Sequence, residues 1–519
     1  PFLEGPLWGK CAGPLSVTRS GEMDPLFEIR VDMAARGSGE ASHSLYRQLR
    51  QAIIDGRLAP GVRLPPTRKA GDFFGVSRNT AAGVYDQLLS EGYVATRRGS
   101  GTYVADKTPA ISPRRSRDRD ASSDYRLNDF WLRSEVTSAM GFWRDRFEVP
   151  PQSPALPRID FRPALVDSRL FPFDEFRRVS ARQLRKLEKE PASYKSPHGN
   201  QGNYSLRAAI TKHIAQTRAV VCDADDVLVT SGAQQAFDLL ARVLITPGQT
   251  VVAVEDPGYP PMRVAFAAAG ARLAPVGVDA EGLMVQELPP DARVICLCPS
   301  HQFPLGVTMS MQRRKALLDF ARSHGAVIIE DDYDGEFRYE GSPLAALRTP
   351  EAADVVFYVG TFSKCLLPAL RLGFLAAPAW AMRALVSAKN CLDWHCSTPI
   401  QMGVAGFISE GLLTNHVRKM RETYRQRRRL LVSCLQRDFD QWLDPIPSSY
   451  GMHVAAVARA GLDLDEVAQA LSADNVKVHT LSRYFLGPPT RTGLVLGYGA
   501  VDLTGIRQGL SLLRAALTG

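Results

Sequence analysis

The sequence predicts a multidomain chain. A mainly helical helix-turn-helix module closed by a β-hairpin is followed by an α/β domain on a largely parallel sheet and a smaller C-terminal α+β subdomain. Three observations carry this. The 519 residues exceed one domain at the usual ~100–200 residues each. Residues 41–105 hold a compact helical pattern that ends in two short strand-like runs. From about Ile159, apolar runs of strand length alternate with helical stretches, and parallel strands need such crossovers. With 45% hydrophobic and 23% charged residues, the composition excludes collagen-like, coiled-coil and wholly disordered classes. No apolar run reaches the ~18 residues of a membrane helix. Pro1–Gly21 lacks the basic start and apolar stretch of a signal peptide. The eight cysteines form neither a C-x-x-C pair nor a dense cluster, so a reducing, cytoplasmic compartment is expected.

Residues 1–40 read as an N-terminal extension, part of it (up to Glu22) extraneous or misassigned upstream sequence. The first module spans 41–105. Leu45, Leu49, Ile53 and Ile54 recur at helical spacing within Leu45–Asp55. Thr67–Phe74 reads as a short helix with Thr67 as N-cap. Gly75-Val76 makes a tight turn, and Ser77 caps a longer helix, Arg78–Glu91. Two helices joined in this way form the geometry whose second helix enters the DNA major groove. Tyr93–Val104 reads as a hairpin turning at Arg97-Arg98-Gly99-Ser100-Gly101, with both arginines placed to reach phosphate or the minor groove. This module holds nine Lys/Arg against four acids, a net +5 out of +9 for the whole chain. That concentration in one eighth of the length points to phosphate attraction.

Residues 106–158, containing PRRSRDRDASSD, read as linker; the aromatic stretch Leu127–Phe147 within them has no assignment beyond local docking. The effector-sized domain spans 159–519, with the smaller subdomain from about residue 379. Within it, the strand GAVIIE runs into EDDYDGE (330–336), and another apolar strand ends in Gly360-Thr361-Phe362-Ser363-Lys364. Ligands of open α/β sheets collect at the carboxyl ends of strands. A lysine and a carboxylate so placed suit pyridoxal phosphate (PLP): the amine of Lys364 forms the Schiff base, and Asp331 keeps the pyridine nitrogen protonated. Tyr333 shares the Asp331 face on extended backbone and can donate to the ring hydroxyl. Thr361, Ser363 and the helix-opening run Ser231-Gly232-Ala233-Gln234 suit the phosphate, and Arg371 supplies a fixed positive charge. The alternative reading of the acidic run is a Mg²⁺ or Ca²⁺ site; its spacing does not match a calcium loop, and no metal is expected.

The stretch LPPTRKAGDFFGVSRNTAAGVYDQLLSEGYVATRRGSGTYV resembles the winged helix-turn-helix of the GntR superfamily of bacterial regulators. The resemblance implies that Arg68, Ser77, Arg78, Asn79 and Thr80 face DNA, with Arg97 and Arg98 on the wing. The ordered series NYSLRAAI, VLVTSGAQQAFDLLARVL, VEDPGYPPMRVAF, CPSHQFPLGVTMS, IIEDDYDGEFRY and GTFSKCLLPALRLGF resembles fold-type I PLP-dependent aminotransferases. The fused version with a GntR-type module is the MocR group of regulators. This resemblance implies Lys364 as the lysine bound to PLP, Asp331 as the pyridinium partner, Tyr333 as the ring-hydroxyl donor and Tyr259 stacked on the ring. Around the phosphate it implies Gly232, Ala233, Gln234, Thr361, Ser363 and Arg371, with Tyr194 reaching the neighbouring subunit's phosphate. His301 lies near a ring-hydroxyl contact, although FPLG replaces the enzymes' NPTG.

Two departures bear on function. Enzymes of this fold hold the substrate α-carboxylate with an arginine in a C-terminal strand; here LVLGYG (494–499) places Val495 there, and Arg491 is the nearest substitute. The basic helix HVRKMRETYRQRRRLL (416–431) reads as a solvated face or subunit interface in preference to a second DNA surface. The expectation is therefore a cytoplasmic, nucleoid-associated regulator, homodimeric and head-to-tail. It binds double-stranded operator DNA and senses PLP and/or an amine or amino-acid effector through aldimine chemistry at Lys364. One rival is an authentic aminotransferase with an attached DNA-binding domain. The other is a regulator whose C-terminal domain is only a dimerisation scaffold.

Overall fold

The computed structural model describes residues 41–97, 99–106, 128–140, 159–189, 199–341, 344–459 and 462–518. The chain divides into two compact units, Pro1–Asp124 and Tyr125–Gly519. The extension 1–40, Arg98 and Tyr194 lie outside the described residues.

In the first unit, α1 (Ala41–Ile54), α2 (Thr67–Phe74) and α3 (Arg78–Ser90) precede the hairpin β1 (Val94–Arg97) and β2 (Gly101–Val104). Leu45, Leu49, Ala70, Phe74, Val84, Leu88 and Val94 form its core. Gly75 closes α2 in the left-handed conformation at φ 65°, where glycine carries no Cβ penalty. Ser77 caps α3, its Oγ accepting from Thr80 N–H at 3.0 Å. Thr67 is not an N-cap: Pro66 holds that position with an extended backbone and no side-chain bond. A proline there blocks helix continuation upstream without needing to accept. The close α2–α3 approach is set at Gly71, where a Cβ would meet Val76 O at 3.1 Å.

In the second unit, part of the stretch read as linker is ordered structure. Helix α4 (Ser134–Met140) packs Val136 and Ala139, with Phe130, against Val264. Next come β3 (Ile159–Asp160), α5 (Phe173–Leu187), α6 (Tyr204–Arg218), β4 (Val227–Thr230), α7 (Ala233–Leu244), β5 (Val251–Asp256), α8 (Pro260–Ala268), β6 (Arg272–Asp279), β7 (Gly282–Leu283) and β8 (Ala292–Leu297). Then follow α9 (Met311–His324), β9 (Val327–Asp332), β10 (Val356–Thr361) and β11 (Gly373–Ala376). The sheet order is β4-β11-β10-β9-β8-β5-β6-β7. Parallel pairing links β10, β9, β8, β5 and β6. The reversed strand β11 sits antiparallel between β10 and β4, an element the sequence reading did not separate. Both faces are covered, so the strands read as continuous apolar runs. Val252, Val254, Cys296, Ile329, Phe357 and Val359 meet α7, α8 and α10 (Ala379–Leu392) on one face. Ala253, Ile295, Leu297, Ile328 and Val356 meet α9 on the other.

Beyond α10, α11 (Thr398–Ser409) and α12 (Leu412–Asp438) lead into the smaller subdomain: β12 (Leu443–Pro445), β13 (His453–Ala458), α13 (Leu464–Ala473), β14 (Val476–Lys477), β15 (His479–Thr480), β16 (Gly493–Gly497) and α14 (Leu503–Thr518). Its sheet runs β12-β13-β16-β15. The entering strand β3 pairs with β14, so the start of the domain is completed by its end. The basic helix α12 turns much of its charge inward. Arg427 bonds Asp167 at 2.7 Å with both side chains about 5% exposed, Arg421 donates to Glu336 O, and Arg428 donates to Ser448 O. A second buried pair, Arg218 Nε to Asp332 at 2.5 Å, ties α6 to the end of β9. Removing one partner of such a pair leaves an uncompensated buried charge. Arg218→Met is therefore expected to destabilise the second unit by about 3–5 kcal/mol, measured by chemical denaturation.

Candidate functional site

The acidic run 330–336 is sorted by strand alternation, which points successive side chains to opposite faces. Glu330 turns away and accepts from the backbone N–H groups of Leu347 and Arg348 at 2.9 and 3.3 Å. Asp332 takes Arg218 and the Tyr358 hydroxyl, the latter at 2.6 Å. Asp334 lies 2.9 Å from His301 Nδ1. Asp331 is left to face a cavity. Glu330, Asp332 and Asp334 thus turn to separate partners instead of converging on one point.

That cavity, of about 290 Å³, is lined by Asp331, Tyr333, Thr361, Ser363, Lys364, Arg371, Ala233, Gln234 and Tyr259, with Ala164, Leu165, Phe303 and Pro368. It opens at the carboxyl ends of β4, β9 and β10. Lys364 follows β10 and donates to Ala164 O at 2.7 Å. Burial, with help from Arg371, lowers its amine to about 8 against the pull of Asp334 and Asp331. Asp331 is 5% exposed. One of its oxygens accepts from Cys298 Sγ at 3.8 Å, and the other, Oδ1, has no hydrogen-bond partner. Burial first, then Asp332 and Asp334, raises its carboxyl to about 7.

The opposite end of the cavity is cationic and rich in donors. Gly232 caps α7 at φ 81°, and a Cβ there would stand 3.1 Å from the Arg371 guanidinium. Arg371 donates to Ser231 O at 3.0 Å. Thr361 Oγ1 bonds Ser363 Oγ at 3.0 Å and accepts Ser363 N–H. Below the α7 N-terminus, Gln235 Oε1 accepts both Ser231 N–H and the amine of the buried Lys389. A helix N-terminus with an arginine over it favours an anion.

His301 lies behind Tyr333 and outside the cavity lining. Its Nδ1 is 2.8 Å from the Tyr333 oxygen and 2.9 Å from Asp334. Asp334 only accepts, so this network assigns the proton to Nδ1. That single hydrogen is shared between Asp334 and the tyrosine oxygen, which leaves the tyrosine's own hydrogen able to point into the cavity. His453 completes a close group with His301 and Asp334. Tyr259, at the start of α8, meets Phe303 edge-on at 5.7 Å. Arg491 is elsewhere: it donates to Val278 O at 2.9 Å and does not line the cavity. Val495 is fully buried in an apolar cluster with Phe303, Tyr333 and Tyr484.

The sequence reading missed Phe303, Ala164, Leu165 and Pro368 as lining residues. Phe303 lies inside PSHQFPLG and carried a signal; Ala164 and Leu165 reach the cavity from a segment with no motif. In the first unit, Arg68, Ser77, Arg78, Asn79 and Arg97 are exposed and Thr80 half-exposed. Arg97 lies over the Tyr103 ring at 4.8 Å.

The orphaned oxygen makes Asp331 a liability to folding. Its folded carboxyl sits near 7 and its ordinary value is 3.8, so this group's contribution to stability falls as pH rises between those values. Asp331→Asn is expected to stabilise the ligand-free protein above pH 7, by up to about 4 kcal/mol, and to leave it unchanged near pH 4. Thermal melts across that range check the sign.

The fold and site have recognisable relatives. Residues 170–491 match the family model of aminotransferase classes I and II, and 41–104 match that of the bacterial regulatory proteins of the gntR family. The chain is 35% identical to the probable rhizopine catabolism regulatory protein MocR of Rhizobium meliloti, over 91% of this chain and 92% of that one. It is 30% identical to the pyridoxine biosynthesis transcriptional regulator PdxR of Corynebacterium glutamicum, over 91% and 95%. Among solved structures, the α-aminoadipate aminotransferase LysN of Thermus thermophilus, complexed with N-(5'-phosphopyridoxyl)-L-leucine, superposes with a TM-score of 0.64 at 29% identity, covering 70% of this chain and 92% of that one. With a GntR-type module ahead of an aminotransferase-like domain of fold type I, and full-length relatives named as regulators, the chain belongs to the MocR group of GntR-type transcription regulators and not to the enzymes whose fold it carries.

Proposed function

We propose that this regulator binds PLP at the Lys364 cavity and changes its affinity for operator DNA in response to PLP itself or to an amine or amino-acid effector. The observation that carries the reading is the buried, half-unpartnered carboxylate of Asp331 facing the same cavity as Lys364 and the cationic end at Arg371. A protonated pyridine nitrogen supplies the donor that Asp331 Oδ1 lacks. The α7 N-terminus, Thr361, Ser363 and Arg371 suit the phosphate. Tyr333, steadied by His301, offers its hydrogen to the ring hydroxyl, and Tyr259 offers a ring face. When bound, PLP supplies an electron-accepting ring and an aldehyde reactive toward amines. The protein's part is to hold Lys364 as a partly neutral amine and to exclude water around it.

The exposed residues Arg68, Ser77, Arg78, Asn79, Thr80 and Arg97, with Arg98, are assigned to DNA. The working form is a cytoplasmic homodimer, as in the dimeric fold-type I proteins, with Tyr194 reaching the neighbouring subunit's phosphate and a head-to-tail arrangement of subunits. Two sites become coupled only if the effector binds two states with different affinity.

Gel-shift titration of operator DNA, with and without PLP and a panel of amines, tests the function. Wild type is expected to change its half-binding concentration at least about fivefold, and Lys364→Ala to bind DNA without responding. No response in wild type removes the sensing role. A separate kinetic outcome follows from the lowered amine. The rate at which Lys364 takes up PLP should rise about tenfold per pH unit below pH 8 and level off above it, followed by the growth of the visible absorption band.

A further inference from the structure

The cavity lining holds three charged side chains, Asp331, Lys364 and Arg371. On the proposed reading Asp331 serves the ring nitrogen and Arg371 the phosphate beside Gly232, while Lys364 leaves the aldehyde carbon as an incoming amine takes its place and stays beside that carbon. With Tyr333 given to the ring hydroxyl, and Ala233, Gln234, Thr361 and Ser363 to the phosphate end, the described lining left to meet an incoming amine is Ala164, Leu165, Phe303, Pro368 and the edge of Tyr259. Behind Phe303 and Tyr333 the wall continues as buried Val278, Leu481, Tyr484 and Val495. Arg491, on the approach to β16, is tied to the Val278 carbonyl outside this lining. A carboxylate attached beside the incoming amino group would shed water against apolar walls and find, besides the released Lys364 amine and the phosphate-bound Arg371, no fixed cation among the described lining residues. Burying a charge without a partner is strongly unfavourable. An alkyl or aryl group in the same place gains contact area instead.

We infer that the effector class is a primary amine without a carboxylate on the carbon that bears the amino group, its apolar part resting on Leu165, Tyr259 and Phe303. Amino acids are rejected by the lack of a further fixed positive partner among the described lining residues, and not by size. This rests on the proposed PLP reading and narrows it.

The test uses full-length protein loaded with PLP and freed of unbound PLP, titrated with matched pairs: ethylamine against L-alanine, and 2-phenylethylamine against L-phenylalanine. Each is read by the change in the visible band and by the shift in melting temperature, with concentrations corrected to the free base. Half-saturation is expected at least about tenfold lower for the amine of each pair. Equal or tighter binding of the amino acids overturns the inference while leaving PLP binding intact. Absence of any Lys364-dependent visible band overturns the PLP reading and this inference with it. A cation added to the wall, Leu165→Arg at a half-buried position, should move the ratio toward the amino acids. A ratio unchanged in that variant sinks the charge argument even where wild type prefers amines.

Discussion

Asp331 stands at the carboxyl end of the central strand β9, 5% exposed, with one oxygen near Cys298 Sγ and the other unpartnered. A buried carboxylate of this kind costs free energy unless something cationic or protonated meets it. The chain keeps it there by surrounding it with groups that have nowhere else to go. Glu330, one residue earlier, is consumed by two backbone N–H groups. Asp332, one residue later, is consumed by Arg218 and Tyr358. Alternation along one strand therefore anchors β9 through the residues before and after Asp331 and leaves Asp331 Oδ1 without a partner among the chain's own groups.

The rest of the cavity follows from what that carboxylate requires. Lys364 emerges from β10, the parallel neighbour of β9, with Val359 in register with Asp331. The reversed strand β11 begins two residues after Arg371 and pairs with β4 as well as β10. That places the guanidinium over Gly232 at the start of α7, where a φ of 81° and a Cβ approach of 3.1 Å favour glycine. His301, held by Asp334, meets the Tyr333 oxygen from behind. A cavity carrying a negative group, an amine and a cationic cup suits, on the proposed reading, a zwitterionic ring with an anionic arm.

The first unit works by a different logic. Its core is small, and its chemistry is on the outside: the capped start of α3 and the hairpin tip present arginines and short polar side chains to solvent. Packing inside this unit joins α1, α2, α3 and the hairpin in one core, with Gly71 and Gly75 setting the approach and the turn between α2 and α3. The second unit instead hides its chemistry, and its ion pairs, such as Asp167 with Arg427, bind elements distant in sequence. The long basic helix α12 shows how sequence charge misleads here, since Arg421, Arg427 and Arg428 are spent on internal carbonyls and Asp167.

Local chemistry made much of this legible in the amino-acid order alone. Ser77 before a helix, the hairpin arginines, the strand-ending EDDYDGE and the lysine after GTFS each carry a signal within a few residues, because caps, turns and strand ends are local events. The concentration of positive charge in 41–105 was likewise readable without a fold. Tertiary structure alone decided which carboxylate of the acidic run faces the cavity, that His301 supports Tyr333 from behind it, and that Arg491 stays with Val278. It also turned part of the expected linker into a helix docked on α8, and brought Ala164 and Leu165 to the cavity from a segment without a motif. Those outcomes depend on partners that are from tens to hundreds of residues away, and on which face of a strand is already full. Periodicity in one stretch of chain carries no information about either.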